Sequence, residues 1–414
     1  MLHNHRVRRN HLNLRMKIIQ IFKTNIMRSI LYKLIVLSSL FFFSDVFGQS
    51  LNQTTPAHLM QAQKVIKQTN NEAQVHLFSS RTDLAPTAIE SRVFSNGMSE
   101  TVIGETFFDL QTNSAIQNRL FVHEDGTISA TWIMSPNSQG GFPDRGTGYN
   151  YFDGFEWMDM PTSRVEEGRT GWPSIAGLNG GEIIASHVFD NPDLFTTIAM
   201  RPEKGAGDWN ENLLPNDGVA YDNVWPRMKV GGADGQSIHV ISHTYGLDNN
   251  YITYSRSQNA GESYDIIDYL IPEIGPEFYN GFGGDQYALD VQGETIAIVI
   301  GSAWTDVVLV KSTDNGTTWT KTIVKEHPIP FWTESILVDS VSFPDTDGSI
   351  ENSDQSFSIS LDANGDAHIF YGLMNYSNDE INDDSWSHYP TSDGLVYWNE
   401  LTQTEEVIAY VADL

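Results

Sequence analysis

Arg119, Trp172, Trp225, Arg227, Asp285 and Asp354 each stand at or near the start of an apolar, strand-like run. Tyr279, Trp332 and Glu334 stand in the long loops just before such runs. Flat aromatic faces beside carboxylates and guanidinium groups suit a mouth that binds carbohydrate or peptide, by stacking and by hydrogen bonds. A carboxylate pair such as Asp285 and Glu334 would serve acid/base work on a glycosidic bond if held at a suitable separation. Trp172 and Trp225 each precede a proline, and simple packing between neighbouring elements is the structural alternative for both.

A second chemistry is oxygen coordination of calcium. The stretch Asp345-Thr-Asp-Gly-Ser-Ile-Glu-Asn-Ser-Asp354 offers Asp345, Asp347, Glu351 and Asp354, with Gly348 allowing a bend. It lacks the full helix-loop-helix calcium spacing, and a solvated acidic loop is the alternative. His187 and His243 occupy similar places in two runs, which reads as buried core histidines rather than metal ligands. Phosphate loops, Cys/His zinc spacings and Gly-x-Ser-x-Gly elbows do not stand out.

The elements that must position these residues are strands. Five segments, beginning at Arg119, Trp172, Trp225, Asp285 and Asp354, each read as an apolar strand, a Gly-bearing tight turn and a second strand. Their turn glycines, Gly126, Gly181, Gly235, Gly293 and Gly365, lie 55, 54, 58 and 72 residues apart. Further strand pairs follow, such as Tyr251-Ile-Thr-Tyr-Ser255 with Ser263-Tyr-Asp-Ile-Ile267, and Val307-Val-Leu-Val-Lys311 with Thr318-Trp-Thr-Lys-Thr-Ile-Val324. Four strands per repeat at this period predict an all-β propeller of four-stranded blades. Five hairpins are visible, residues 101–110 offer strand material for another blade, and the expected count is six. A β-sandwich is the alternative.

Ser312-Thr-Asp-Asn-Gly-Thr-Thr-Trp319 fits the pattern Ser-x-Asp-x-Gly-x-Ser/Thr-Trp at every defined position. Asp314 would accept backbone N–H groups, Gly316 would supply the unusual φ, and Trp319 would pack beneath the turn. A weaker copy, Ser257-Gln-Asn-Ala-Gly-Glu-Ser-Tyr264, has Asn259 for Asp, keeps Gly261 and Ser263, and ends in Tyr264 for Trp. More degenerate turns end at Trp157 and Trp209. These boxes resemble the Asp boxes of the sialidase-like propeller superfamily, which implies a sialidase-like propeller with the boxes as structural turns away from the mouth. In that family an arginine triad grips a carboxylate beside an Asp acid/base and a Tyr–Glu pair, and an early Arg-Ile-Pro carries the first arginine. Here Arg119-Leu-Phe departs at proline, and only Arg119 and Arg227 fall on predicted innermost strands. No catalytic residues are assigned on this basis.

Residues 104–113 and Tyr397-Trp-Asn399 also resemble wording in large secreted proteins of Bacteroidetes-type bacteria, which commonly end in a C-terminal sorting domain for type IX secretion. No such domain is visible, and the run at 407–414 stops within what reads as a strand, so a truncated propeller is expected.

Residues 1–33 are basic without an acidic residue, and the apolar run Leu34–Phe43 precedes Val46-Phe47-Gly48. This is the grammar of a secretory signal peptide, here 1–48, with Met27 as an alternative start; a membrane anchor is the other reading. Its removal takes eight basic residues and Asp45, so 24 Lys+Arg and 53 Asp+Glu become 16 and 52, a net of −36. Such charge disfavours nucleic acid and anionic membranes as partners. The absence of Cys means that export would not rely on disulfides.

Residues 49–90 read as an N-terminal arm with a short helix capped by Thr55, and 91–414 as the propeller. The leading expectation is a secreted or cell-surface, monomeric propeller that binds an extracellular glycan or protein at its mouth. The alternatives are a sialidase-like glycoside hydrolase and a calcium-stabilised structural or adhesive protein.

Overall fold

The computed structural model of the chain describes residues 100–410 apart from 117, 191–192, 217–221, 246–248, 347, 382 and 384. The expected signal peptide and the helix-bearing arm lie outside the described residues.

Five antiparallel sheets follow one another along the chain. Sheet I holds β1 (Leu120–Val122), β2 (Ile128–Met134) and β3 (Gly146–Phe152). Sheet II holds β4 (Thr170–Leu178), β5 (Gly181–Asp190), β6 (Asp193–Arg201) and β7 (Asn210–Leu213). Sheet III holds β8 (Asp222–Gly231), β9 (Ser237–Tyr245), β10 (Ile252–Ser257) and β11 (Ile266–Leu270). Sheet IV holds β12 (Tyr287–Gln292), β13 (Thr295–Ile300), β14 (Val307–Ser312) and β15 (Thr320–Lys325). Sheet V holds β16 (Ile350–Leu361), β17 (Ala367–Ser377), β19 (Leu395–Asn399) and β20 (Thr404–Ala409), with β18 (Ser387–Tyr389) pairing β17.

Within each sheet the strands pair in chain order, and the first strands of successive sheets meet, β4 against β8, β8 against β12, and β12 against β16. This is the blade plan of a β-propeller, with the first strand of each blade innermost. Among the described residues no helix is long and apolar enough to cross a membrane.

The register explains the layering. On sheet IV, Leu289, Ile296, Ile298, Val308 and Val310 face the core shared with sheet III. Their alternates Ala288, Ala297, Val299 and Leu309 face the core shared with sheet V. A central blade is therefore apolar on both sides, and Thr295–Ile300 reads as a continuous apolar run rather than an alternating one. Each fully buried Ile or Val on these faces contributes about 1.5–3 kcal/mol.

All five expected hairpins form, with Gly126, Gly235, Gly293 and Gly365 in their turns at φ of +83°, +73°, +56° and +82°. In the sheet II hairpin the left-handed glycine is Gly180, one residue before the expected Gly181. Residues 101–110 differ from expectation. They make no strand; Gly104 lies flat against the Trp132 ring, and Phe107 N donates to Ser135 O at 2.9 Å. The sixth blade of the sequence reading has no counterpart among the described residues.

One backbone device recurs in every blade. Asn118, Trp172, Trp225, Asp285 and Gln355 sit at the entrance to or within the first strand, all with positive φ, +57°, +54°, +50°, +66° and +72°. In β4, β8 and β16 the ladder register slips at this place. Such bulges re-aim the side chain at a sheet's rim, and each left-handed non-glycine residue costs about 1–3 kcal/mol that its surroundings must offset.

The two boxes occupy equivalent turns between third and fourth strands, Ser312–Trp319 joining β14 to β15 and Ser257–Tyr264 joining β10 to β11. Gly316 N donates to Ser312 Oγ at 2.9 Å, and Thr318 N to Asp314 Oδ1 at 2.8 Å. In the weaker copy Gly261 N donates to Ser257 Oγ at 2.9 Å, and Ser263 N to Asn259 Oδ1 at 3.0 Å. An asparagine oxygen thus replaces the carboxylate with the same geometry. Trp319 packs edge-on to Tyr254, and Tyr264 packs against the core between sheets II and III.

Candidate functional site: an axial cluster and an aromatic cleft

The nine candidate binding residues separate into three groups. The first surrounds Asp285, which is 0% exposed. Its Oδ1 accepts Arg227 Nη2 at 2.8 Å. Its Oδ2 accepts Trp172 Nε1 at 2.5 Å, Asn113 N at 3.0 Å, Asn113 Nδ2 at 3.2 Å and Thr112 Oγ1 at 3.3 Å. Residues 112–116 and 118 complete the cluster. Ala115 N donates to Asp285 O at 3.1 Å, Ala115 O accepts Arg227 Nη2 at 2.8 Å, and Asn118 O accepts Ile175 N at 2.8 Å.

Trp225 closes the group. Its backbone N donates to His187 Nδ1 at 2.9 Å, and its ring meets those of His187, His243 and Trp172 edge-on. His187 and His243 are buried parts of this packing, as the sequence suggested. Burial, reinforced by Arg145, Arg169, Arg227 and Arg119, holds His187 well below the ordinary imidazole range.

Three guanidinium groups do gather here, but the protein's own atoms engage them. Arg119 Nη2 donates to Gln111 O at 2.8 Å. Arg145 lies over the Trp172 ring and donates Nε to Thr170 O at 2.9 Å. Arg227 serves Asp285, Ala115 and Pro226. Burial beside Arg227 pulls Arg119 down to about 9, against the opposite pull of Asp285, so it stays charged at neutral pH. This group rivets sheets II, III and IV to residues 112–116 and 118. A buried carboxylate so fully subscribed has a structural part to play.

The second group forms an open cleft of about 700 Å³. Tyr279, Trp332 and Glu334 line it, together with Phe278, Trp304, Asp306, Glu326, His327 and Phe331. Trp304 and Trp332 stack face to face, with ring centres 3.9 Å apart and planes at 10°. Trp332 Nε1 donates to Ile336 O at 3.2 Å, which fixes the stack. Asp306 is held at both oxygens, by Tyr279 Oη at 2.9 Å on Oδ2 and by His327 N at 2.8 Å on Oδ1. Burial and the Asp306 charge raise the Tyr279 phenol far above its ordinary value, so it acts as a neutral donor. Phe278 and Phe331 are 42% and 46% exposed, giving the cleft accessible aromatic faces.

Sequence reasoning missed Trp304, Asp306 and His327, although a signal existed. Strands alternate direction, so the loop between second and third strands opens on the same face as the loop between fourth and next first strands. Trp304 and Asp306 lie between β13 and β14, while Tyr279 and Trp332 lie in blade-to-blade loops. His327 lies in the β15–β16 loop with Trp332, so its place on this face was legible from loop position.

Asp354 belongs to neither group. It stands over Gly372, where a Cβ would come within 2.2 Å of its carboxylate, in a mainly apolar cavity of about 580 Å³ shared with Ala115, Ile116 and Tyr371. Burial raises its carboxyl above the usual range, against hydrogen bonds from Ser356 N and Gly372 N. Asp285 and Glu334 are not brought into one set: the first is sealed on the axis, the second lines the cleft.

Asp345 lies in the short turn Pro344–Thr346, the Glu351 carboxylate is 3.8 Å from Lys325 Nζ, and Asp347 lies outside the described residues. No group of three or more His, Asp or Glu side chains is placed to hold a metal ion among the described residues.

The sheets and their recurrent bulge define a β-propeller. No family model matches the chain, and no curated protein matches it. Among solved structures it is similar to a sialidase of Trypanosoma rangeli in complex with the inhibitor DANA, at 14% identity over 77% of this chain and 50% of that one, with a TM-score of 0.41. It is also similar to Zg3597, a family 117 glycoside hydrolase of the marine bacterium Zobellia galactanivorans, at 12% identity over 61% and 83%, with a TM-score of 0.38. A thermostable family-43 glycoside hydrolase shares 10% identity over 72% and 96%, with a TM-score of 0.36. The fold assignment rests on the blade pattern of this chain.

Proposed function

We propose that this protein is an exported β-propeller that binds an extracellular glycan in the cleft between Tyr279, Trp304 and Trp332. The observation that carries the reading is the cleft's composition. Exposed Phe278 and Phe331 and half-buried Trp332 stand beside Asp306, whose carboxylate is held at both oxygens, in a cavity large enough for one or two sugar rings. Pyranose C–H faces stack on aromatic rings, and their hydroxyls need oriented acceptors such as Asp306, with Glu334 on the same lining. The axial cluster, first expected to be the mouth, supports the cleft by holding blades II to IV together.

A second reading, a glycoside hydrolase, draws on Asp306, Glu326 and Glu334 lining one cavity. A binding screen on a glycan panel, run alongside turnover of fluorogenic glycosides, separates the two. Saturable binding lost in Trp332→Ala without turnover supports the binding reading. Turnover abolished by Glu334→Gln replaces it with the hydrolase, and a panel without any binder overturns both.

A further inference from the structure

The cleft's lining is acidic, with one ammonium at its rim. Asp306, Glu326 and Glu334 line it, and among the described residues no Lys or Arg does. Asp306 acts on Lys321 at the rim, and Glu273 and Glu277 add further negative charge there. That lysine shows what the rim accepts: its ammonium lies 3.4 Å from the centre of the Phe278 ring and 5.3 Å from that of Tyr279. An ammonium over an aromatic face, with carboxylates nearby, is a cation–π arrangement. The chain as a whole carries a net charge of −29, which draws cations towards it and repels anions.

An anionic sugar entering this cleft would meet carboxylates and no guanidinium. The three arginines that could have gripped it are engaged on the axis, with Asp285 and with backbone carbonyls. Asp306 spends one hydrogen bond on each oxygen, to His327 N and Tyr279 Oη, and each oxygen keeps acceptor capacity.

Building on the glycan reading above, we propose that the cleft selects an amino sugar carrying a free, protonated amine, stacked on the aromatic faces with its ammonium between Asp306 and Glu334. It discriminates against uronic and sialic acids. A lysine-rich peptide would supply the ammonium, as Lys321 does over Phe278, but no ring of C–H groups to stack, so the sugar, which supplies both, is the favoured occupant.

The test uses the full chain and three oligosaccharides of equal length: a glucosamine tetramer, its fully N-acetylated counterpart and a galacturonate tetramer. Calorimetry is run at low salt, below the amine pKa. The glucosamine tetramer is expected to bind at least about tenfold more tightly than the N-acetylated one, with no binding of the uronate. The double variant Glu326→Gln/Glu334→Gln, which leaves Asp306 and its supporting bonds intact, should bring that ratio to about one, whatever its effect on affinity for the neutral tetramer.

Equal or tighter binding of the neutral or anionic tetramer overturns the charge selection and leaves the glycan reading standing. So does an unchanged ratio in the double variant. Binding of oligolysine but of none of the sugars overturns the sugar as occupant, and absence of binding to all four probes overturns both readings.

Discussion

Trp172 Nε1 reaches Asp285 Oδ2 at 2.5 Å across 113 residues of sequence, tying the first strand of sheet II to the entrance of sheet IV. Both residues hold left-handed backbone conformations, at φ +54° and +66°. In sheet II the bulge therefore aims Trp172 at the axis, where its hydrogen bond to Asp285 helps to offset the backbone cost. Arg227 completes the contact from sheet III, so three blades share one carboxylate.

Asp285→Ala would leave the Arg227 guanidinium buried without its counter-charge. A loss of about 3–5 kcal/mol is expected in denaturant unfolding. Trp172→Phe keeps most of the ring volume and removes only the N–H, so a smaller loss of about 1–2 kcal/mol is expected. Wild-type stability in Asp285→Ala would show that the cluster does not hold the blades.

The Ser312–Trp319 turn makes a sharper prediction. Hydrogen bonds from the Thr318 side chain and backbone hold Asp314 down to about 2. A carboxyl depressed in the fold stabilises it fully above its unfolded value near 4, and that stability disappears as pH falls from about 4 to 2. Asp314→Asn should retain the turn, as Asn259 does in the sister box, and lose that acid-limb contribution. Gly316→Ala should cost more than about 1 kcal/mol, because φ is +84° and a Cβ would sit 2.0 Å from Tyr254 Oη. Urea melts of both variants at pH 7 and pH 3.5 check the pair.

Buried histidines set a second pH limit. Burial lowers His187, His239, His243 and His327, His239 to about 3. Between the folded and unfolded values only the unfolded chain takes up protons, so stability is full above about pH 6.5 and falls as pH drops below it. Unfolding free energy should decrease by more than about 1 kcal/mol between pH 7.5 and pH 5. A flat profile over that range would contradict the placement of these rings.

Chelation should be silent within the described structure. Glu351 lies near Lys325, and the other acidic side chains form no three-membered set among the described residues. A thermal melt in EDTA is expected to match one in calcium. A clear fall in melting temperature with EDTA would instead restore the calcium-stabilised reading of the loop at 345–354.

The blades were legible because their signals are local. A tight turn between two apolar strands and a box closed by Ser, Asp and Gly need only a few neighbouring residues. The axial cluster was half legible: Arg119, Trp172, Trp225, Arg227 and Asp285 were picked out together, yet as an open mouth. What lies against them is residues 112–116 and 118, which carry no periodic signal and acquire their part through contacts with Asp285, Arg227 and Ile175. Cleft residues Trp304 and Asp306 were missed for a geometric reason. Their loop joins strands within a blade, and its position beside Trp332 follows from strand direction rather than from composition.

The most direct test of the cleft as the binding site is hydrogen exchange with and without a saturating oligosaccharide. Protection is expected in the backbone at 278–282, 302–306 and 326–335, with residues 112–118 and the strands around Trp172 and Trp225 unchanged. Protection confined to the axial residues, with the three cleft loops unaffected, would contradict the assignment and return the binding site to the axis.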